Sequence, residues 1–339
     1  MDIVGGAGIC RGPNNLIGNG YMSLPIAITV EGANILTRSM ITFGQGLNRA
    51  HPHLINIVNT IEKGDDVKGF TKEVSGFMGH LFTNIGRSLT RAVFRPRSKT
   101  DLAAYYEGQL SRLAANFAVS ADLALVLGGR LKFEEMLSGR FADAFGTLYL
   151  GYASLWYYQQ NKHVEGIEAL FELSMENLLK QNQDALIGNS KNFPVPGIGP
   201  IMRAISFPFG QPYQGSDDAM TKKASDLITR PSGIRELLSQ GVFISKDPTD
   251  RMRMLNDILP QSIAADKLVS AAKKAKRALT PEEQKQVDHV TAVVNQIVQV
   301  DAFDKLGSER YESEDYVRPA LRHTKFAAPI SVSAATGTA

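Results

Sequence analysis

Near its beginning the chain carries a glycine cluster and a glutamate, residue types that can bind a cofactor and move a proton. The cluster is Gly5-Gly6-Ala7-Gly8, and after 22 further residues comes Glu31-Gly32-Ala33-Asn34. Glycines let a backbone turn tightly and approach a ligand closely. Such clusters also occur in ordinary turns, and the dinucleotide-binding fingerprint requires a preceding strand, which this sequence lacks. The glycines alone therefore leave the function open.

Glu31 has two interpretations. It follows the apolar run 25–30, and Gly32 leaves its far side uncrowded. Apolar surroundings disfavour the charged carboxylate, which suits a general base that works near neutral pH. Alternatively, Glu31 begins the apolar-periodic run that follows it and interacts with the positive end of a helix. Taken alone, the local sequence favours this second interpretation.

The two motifs together, with Arg38 seven residues after Glu31, resemble the last conserved block of the acyl-CoA dehydrogenases. In that family a Gln-x-x-Gly-Gly-x-Gly segment is followed by Glu-Gly-Thr and then by an arginine. The three glycines of the cluster match this pattern, as do Glu31-Gly32 and Arg38. The longer text, from GGAGICRGPNN through PIAITVEGANILTRSM to FGQG, is similar to the large bacterial long-chain acyl-CoA dehydrogenases, which carry a helical extension after this block.

The resemblance implies a flavoprotein of fatty-acid β-oxidation that converts an acyl-CoA to the trans-2-enoyl-CoA. Glu31 would remove the pro-R α-proton of the thioester while a hydride leaves the β-carbon for the N5 atom of FAD. The backbone at Gly5, Gly6 and Gly8 would approach FAD, in this family often that of a neighbouring subunit. The Gly32-Ala33 backbone would lie beside the flavin or the acyl thioester. Further implied partners are a long-chain acyl-CoA, an electron-transfer flavoprotein and, for the full-length enzyme, a second copy in a homo-oligomer.

The sequence departs from the family pattern at three places. Asp2 stands where the family has glutamine, which puts in doubt the usual side-chain contact with the adenosine part of FAD. Ala33 replaces the threonine and removes its hydroxyl. The arginine-aspartate pair usual before the base is absent, and Gly18-Asn19-Gly20 lies there instead. Because Glu31 is retained, we interpret the chain as a divergent branch of the family.

Other reactive residues give weaker signals. His51 and His53 flank Pro52, but no acidic residue or cysteine lies near them in the sequence, so no metal site is expected. Cys10 has no identifiable base beside it and is not expected to act as a nucleophile.

The remaining sequence predicts an all-α fold, namely the C-terminal part of the acyl-CoA dehydrogenase helical bundle followed by a multi-helix extension. Apolar residues recur at spacings of three and four, the pattern of amphipathic helices. Asp101 is a candidate cap, and Thr280-Pro281-Glu282-Glu283 is a capping box. Prolines exclude one continuous helix over 188–217. The predicted helices are 70–95, 101–127, 131–160, 164–184, 218–229, 231–240, 248–259, 262–279 and 281–305. The predicted segments are 1–58 (flavin and catalytic-base block), 59–325 (helical extension) and 326–339 (disordered tail).

Composition restricts the partners and the location. A hydrophobic fraction of 43% with 21% charged residues is ordinary for a soluble protein, and a net charge of +3 is too small to indicate a nucleic-acid partner. The single cysteine excludes an internal disulfide and favours a reducing compartment. No signal peptide or run of about 20 apolar residues is visible. We therefore expect a cytoplasmic protein, or a peripheral one at the inner face of the cell membrane.

Two apolar segments could contact a membrane surface. The predicted helix 70–95 carries three arginines toward its end beside an apolar face. The proline-rich segment 193–213 is apolar despite its helix breakers. Burial against other helices is the alternative for both, favoured for the first and open for the second.

The glycine-rich block stands at the very start of the sequence, with no preceding elements to support it. We therefore expect an N-terminally truncated enzyme that binds FAD poorly and has little activity by itself. The competing hypothesis is a non-catalytic helical assembly or membrane-association module that retains the block as structure.

Overall fold

The computed structural model describes residues 2–10, 12, 14–27 and 36–300, which form helices joined by turns and loops without any strand. The predicted all-α class is confirmed. Two helical segments differ in pitch, a π-helix over Thr37–Gln45 and a 3-10 helix over Leu125–Phe133. The α-helices of the described ranges are α1 (Gly6–Ile9), α2 (Gly18–Ser23), α3 (Gly46–Ala50), α4 (Leu54–Lys63), α5 (Val67–Val93), α6 (Leu102–Ala124), α7 (Glu135–Gln160), α8 (Ile167–Lys191), α9 (Ile198–Ser206), α10 (Asp218–Thr229), α11 (Gly233–Ser239), α12 (Arg251–Lys274) and α13 (Pro281–Val298).

The chain forms two compact units, one comprising 1–22 with 291–339 and the other 23–290. In the smaller unit, the amide of Asn14 donates to the carbonyl oxygen of Val300 at 3.1 Å. The first residues of the chain are thereby joined to residues from its other end.

The three predicted segments were defined by family resemblance and not by compactness, so they stay predictions. Residues 36–58 belong to the same compact unit as the helices that follow them. The tail 326–339, predicted to be disordered, lies outside the described residues.

Helices α6, α7 and α8 form the centre of the larger unit. Tyr106 and Leu110 of α6, and Met175 of α8, are almost completely buried. The rings of Tyr158 and Phe171 stack with 4.3 Å between their centroids and join α7 to α8. Burial of such apolar and aromatic side chains is the main favourable contribution to folding.

The helix starts follow from capping residues that the sequence supplies. An Asp101 carboxylate oxygen accepts a hydrogen bond from the amide of Ala104 at 3.2 Å, as predicted. The amide of Thr280 donates to Glu283 Oε2 at 2.8 Å, and the amide of Glu283 donates to Thr280 Oγ1 at 3.3 Å. This reciprocal pair confirms the predicted capping box. The same side-chain-to-amide capping occurs at Asp66, Asp217, Ser232 and Asp250.

Helix α12 corrects one prediction. The sequence predicted separate helices over 248–259 and 262–279, on either side of Pro260, but the structure has one helix, Arg251–Lys274. Proline removes one helical hydrogen bond. However, Ile258, Ala265 and Ala272 are buried at intervals of seven residues, so both halves of the helix present the same face to the fold. This continuous burial offsets the lost bond.

The proline-rich segment 193–213 contributes to the core. It contains α9, where Pro200 occupies the first turn and costs no intrahelical hydrogen bond. Met202, Phe207 and Tyr213 are buried, whereas other apolar side chains such as Phe209 remain exposed. Burial therefore accounts for part of the apolar content of this segment.

One stretch of the described chain, Leu102–Phe133, is long and apolar enough to cross a membrane by length and composition alone. Within its most apolar window, 61% is buried inside the fold. The core helix of a globular protein has the same properties.

Candidate functional site

The glycine cluster forms a turn followed by the single-turn helix α1 in the smaller unit. Gly5 has a φ of +61°, in the left-handed region that favours glycine. Its carbonyl oxygen accepts a hydrogen bond from the amide of Gly8 at 2.9 Å. A Cβ added to Gly5 or Gly6 would meet no atom within 4 Å. The backbone is therefore approachable at Gly5 and Gly6. Gly8, by contrast, is buried, and its amide and carbonyl groups are both hydrogen-bonded within the chain.

Asn15 holds this turn in place, a role that the sequence analysis missed. Its side-chain amide donates to the carbonyl oxygens of Gly8 at 2.9 Å and Cys10 at 2.7 Å. Its Oδ1 accepts from the amides of Ile17 at 2.9 Å and Gly18 at 2.7 Å. An asparagine inside a glycine-rich turn is a sequence signal for such side-chain-to-backbone bonding.

The other predicted site residues, Glu31, Gly32 and Ala33, lie outside the described residues. Their predicted roles as catalytic base and flavin-contacting backbone therefore stay predictions. The described structure resumes at Leu36, immediately before the π-helix.

Arg38, the arginine that follows the predicted base, is bound to Asp143 of α7. Its Nε donates to Asp143 Oδ1 at 2.6 Å, and a second guanidinium nitrogen donates to Oδ2. Hydrogen bonding to this carboxylate raises the pKa of Arg38, and burial opposes the rise. The bidentate contact fixes the orientation of the guanidinium as well as its position.

Phe43 anchors the π-helix in the larger unit. It is buried, and its ring stacks on Phe141 of α7 with 4.3 Å between centroids and 10° between planes. Phe117 of α6 meets both rings edge-on. The segment that follows the predicted base is therefore held by Phe43 as well as by Arg38.

A second cluster of titratable side chains joins three helices of the larger unit. His51 ends α3, His80 belongs to α5 and Asp122 to α6. Asp122 is buried, and its two carboxylate oxygens lie 3.2 Å from His51 Nε2 and 2.9 Å from His80 Nδ1. His51 therefore has an acidic partner, although none lies near it in the sequence, because the fold brings Asp122 to it from a distant helix.

Hydrogen bonds assign the protons on both rings. His51 Nδ1 accepts from the amides of His53 and Leu54, each at 3.2 Å, so its proton is on Nε2. Asn84 Nδ2, which can only donate, lies 3.0 Å from His80 Nε2, so the His80 proton is on Nδ1. The His51 N–H faces Asp122 without a hydrogen bond of good geometry, so that contact is electrostatic.

Burial determines the protonation of this cluster. Burial, together with the neighbouring His80 and His53, lowers the pKa of His51 to about 4. Burial raises the pKa of Asp122, and His80 opposes this rise. The cluster therefore favours a neutral His51 at neutral pH.

The residue types and spacing of this cluster also resemble a metal site. One ligand atom from each of His51, His80 and Asp122 lies within 4.8 Å of the others. A metal ligand must offer a lone pair, whereas both ring nitrogens that face Asp122 carry protons. The protons on these nitrogens therefore fit a clamp that joins α3, α5 and α6, by the hydrogen bond of His80 and the electrostatic contact of His51 with Asp122, better than they fit a metal ion.

The described residues define an all-α helical domain. The chain belongs to the family of acyl-CoA dehydrogenase C-terminal domains of bacterial type, whose sequence profile matches residues 48–306. It thus corresponds to a C-terminal portion of an acyl-CoA dehydrogenase. No solved structure matches this chain.

Proposed function

We propose that this chain is the C-terminal portion of an FAD-dependent enzyme that dehydrogenates long-chain acyl-CoA thioesters, with Glu31 as the base. The observation that carries the proposal is the position of the block. The segment from Gly5 to Arg38, which resembles the acyl-CoA dehydrogenase catalytic block, immediately precedes the family domain at 48–306. Arg38 and Phe43, which follow the base, pack onto the helices of that domain.

In this reaction Glu31 takes the α-proton of the thioester, and the electron pair of the broken C–H bond forms the α,β double bond. FAD, when bound, supplies the acceptor for the hydride that leaves the β-carbon. The product would be the trans-2-enoyl-CoA, and an electron-transfer flavoprotein would be the partner that accepts the electrons from FAD. Gly5 and Gly6 would hold FAD through their exposed backbone. The Gly32-Ala33 backbone would lie beside the flavin or the acyl thioester.

The turn at Gly5 supports this cofactor assignment. Its left-handed backbone and the open space at Gly5 and Gly6 permit close approach of a ligand. Asn15 fixes the turn with two hydrogen bonds, to the carbonyl oxygens of Gly8 and Cys10. No contact within the described chain requires glycine at position 6. A bound cofactor that lies close to the backbone would explain why the residue there is glycine.

Substitution of Glu31 in the full-length enzyme tests the proposal. General-base catalysis contributes about a hundred- to ten-thousandfold to a rate, so Glu31→Gln should reduce turnover with palmitoyl-CoA by at least that lower factor. The flavin absorbance should be unchanged, since the substitution preserves size. Glu62→Gln on the exposed face of α4 removes the same charge and should leave turnover unchanged. Turnover retained in Glu31→Gln would remove Glu31 from the role of base.

The exposed side of α5 favours a second candidate, a membrane-associated helical module. Phe82 and Phe94 are 64% and 82% exposed, and the exposed Arg87 lies between them in the sequence, whereas Arg91 donates to the carbonyl oxygen of Ser111 at 2.7 Å. An apolar surface with basic residues suits the inner face of an anionic membrane. Sedimentation with phosphatidylglycerol vesicles should be reduced in Phe82→Ser and Phe94→Ser. Equal sedimentation of both variants and the original chain would show that this surface does not bind the membrane.

A further inference from the structure

An arginine-lined cavity of about 250 Å³ lies in the larger unit. It forms where the end of α5 and the following loop meet α6 and the segment after α9. Arg95 and Arg97 come from the loop, and Arg112 comes from α6. The other lining residues are Ala92, Val93, Phe209, Gly210 and Pro212.

Arg112 is buried without a counter-ion. Its side chain is only 2% exposed, yet within the described ranges no carboxylate forms an ion pair with it. One terminal nitrogen donates to the carbonyl oxygen of Ser206 at 3.3 Å, and the rings of Phe207 and Tyr213 lie about 6 Å from the guanidinium carbon. Its Nε has no hydrogen-bond partner. A buried charge with an unsatisfied donor is costly unless an anion approaches it.

Glu172 and Glu176, which contact the same loop, are already engaged by other groups. Lys99, in the same loop as Arg95 and Arg97, donates to Glu176 at 2.9 Å and to Glu172 at 3.3 Å. The hydroxyl of Tyr106 also donates to Glu176. The loop lysine is therefore neutralised by the protein, whereas no described carboxylate pairs with either loop arginine.

We propose that this cavity binds a phosphate group, held by Arg95, Arg97 and Arg112. A phosphate offers several acceptor oxygens and up to two negative charges, which suits several guanidinium groups at once. A single carboxylate would be satisfied by one of them. Pockets for whole cofactors occupy about 300–1,000 Å³. The cavity is smaller, so it receives the phosphate while the remainder of a larger ligand lies outside.

The arginine loop is fixed before any ligand arrives. Pro96 stands between Arg95 and Arg97, and its carbonyl oxygen accepts a hydrogen bond from Gln109 Nε2 at 2.9 Å. A Cβ at Gly108 would meet the Pro96 ring at 2.6 Å, so this glycine permits the loop to lie directly on α6. Because the site is preorganised, little conformational freedom is lost on binding.

Calorimetric titration of the purified 339-residue chain with inorganic phosphate and, separately, with coenzyme A tests the proposal. Loss of one charge-assisted hydrogen-bonding group weakens binding by about ten- to a hundredfold. Arg112→Gln should therefore weaken phosphate binding by about this factor, as should Arg95→Gln. Arg87→Gln is the matched control, because it removes the same charge from an exposed position on α5 outside the cavity.

The two probes distinguish the sources of the phosphate. Tighter binding of coenzyme A than of inorganic phosphate assigns the site to a phosphate carried by the nucleotide, and equal binding assigns it to the free anion. Absence of saturable binding of both probes, or equal weakening by Arg87→Gln and Arg95→Gln, overturns the proposal. Circular dichroism shows whether Arg112→Gln folds. If it does not, phosphate binding by Arg95→Gln and Arg97→Gln tests the proposal, since neither residue is fully buried. The proposal does not rest on the dehydrogenase activity, and turnover is not its readout.

Discussion

The guanidinium of Arg38 forms a two-pronged hydrogen bond with Asp143, which lies 105 residues further along the chain. Arg38 is seven residues after the predicted base, and Asp143 belongs to α7 at the centre of the family domain. The contact therefore couples the segment that follows the predicted base to the fold of the domain. Both side chains are nearly half exposed, so solvent screens their attraction.

A double-mutant cycle with Arg38→Gln and Asp143→Asn should give a coupling energy of about 0.5–1 kcal/mol, because exposed ion pairs with good geometry reach this range. The free energy of unfolding in urea measures it for the original chain, both single variants and the double variant. The coupling should decrease when the salt concentration is raised from 0.05 M to 1 M, by screening. A coupling near zero at low salt would show that the contact does not fix this segment.

Truncation of Phe43 should loosen the same segment more severely. The ring is 2% exposed and stacks on Phe141, so Phe43→Ala removes a buried aromatic group and should cost about 3–5 kcal/mol of unfolding free energy. Phe133→Ala is the matched control, because that ring is 75% exposed and its loss should change stability by less than about 0.5 kcal/mol. Equal effects of the two substitutions would contradict the anchoring role of Phe43.

Much of this fold is predictable because the spacing of apolar residues and the capping residues determine where helices form. Residue spacing located the long helices, and Asp101 and Thr280 marked two of their starts. The prediction failed at Pro260, where burial at intervals of seven residues outweighs a lost hydrogen bond. It also placed the start of α7 at residue 131, whereas a 3-10 helix containing a non-helical Gly128 delays that start to Glu135.

The site was less predictable than the fold, since it depends on contacts between distant residues. Spacing suggested Arg38, but nothing in the local sequence indicated that Asp143 would bind it. His51 was judged without an acidic partner because Asp122 is 71 positions away. Arg112 resembled any arginine on an amphipathic helix, and only its burial without a carboxylate distinguishes it.

Gln183 should be required for the segment that closes the arginine cavity. Its side chain donates to the carbonyl oxygen of Tyr213 at 2.9 Å and accepts from the amide of the same residue at 3.1 Å. Gln183→Ala leaves both buried backbone groups unpaired and should cost about 2–4 kcal/mol of unfolding free energy. Thermal or urea unfolding measures the loss. Gln211→Ala, at an exposed position two residues before Tyr213, should have little effect. Comparable destabilisation by both would show that the bonds to Tyr213 are unimportant.

The His51 clamp should make stability depend on pH. Burial lowers the pKa of His51 from 6.5 to about 4, so the unfolded chain binds a proton more readily than the folded chain between these values. The stabilising difference is fully present above about pH 6.5 and is lost as the pH falls toward 4. Asp122 acts in the opposite direction at lower pH, because its raised pKa favours protonation in the folded state.

Between pH 6.5 and pH 5, the titration of His51 should therefore lower the free energy of unfolding by about 1–2 kcal/mol. Asparagine at this position cannot titrate, and its side-chain oxygen can still accept from the amides of His53 and Leu54. His51→Asn should reduce the pH dependence across this interval, even if its stability at pH 7 is lower. His163→Asn changes an exposed histidine and should retain the slope of the original chain. Urea unfolding of the three proteins at each pH measures these slopes. Asparagine cannot take up a proton when the chain unfolds. If the free energy of unfolding of His51→Asn still depends on pH as steeply as that of the original chain, other groups cause the acid sensitivity.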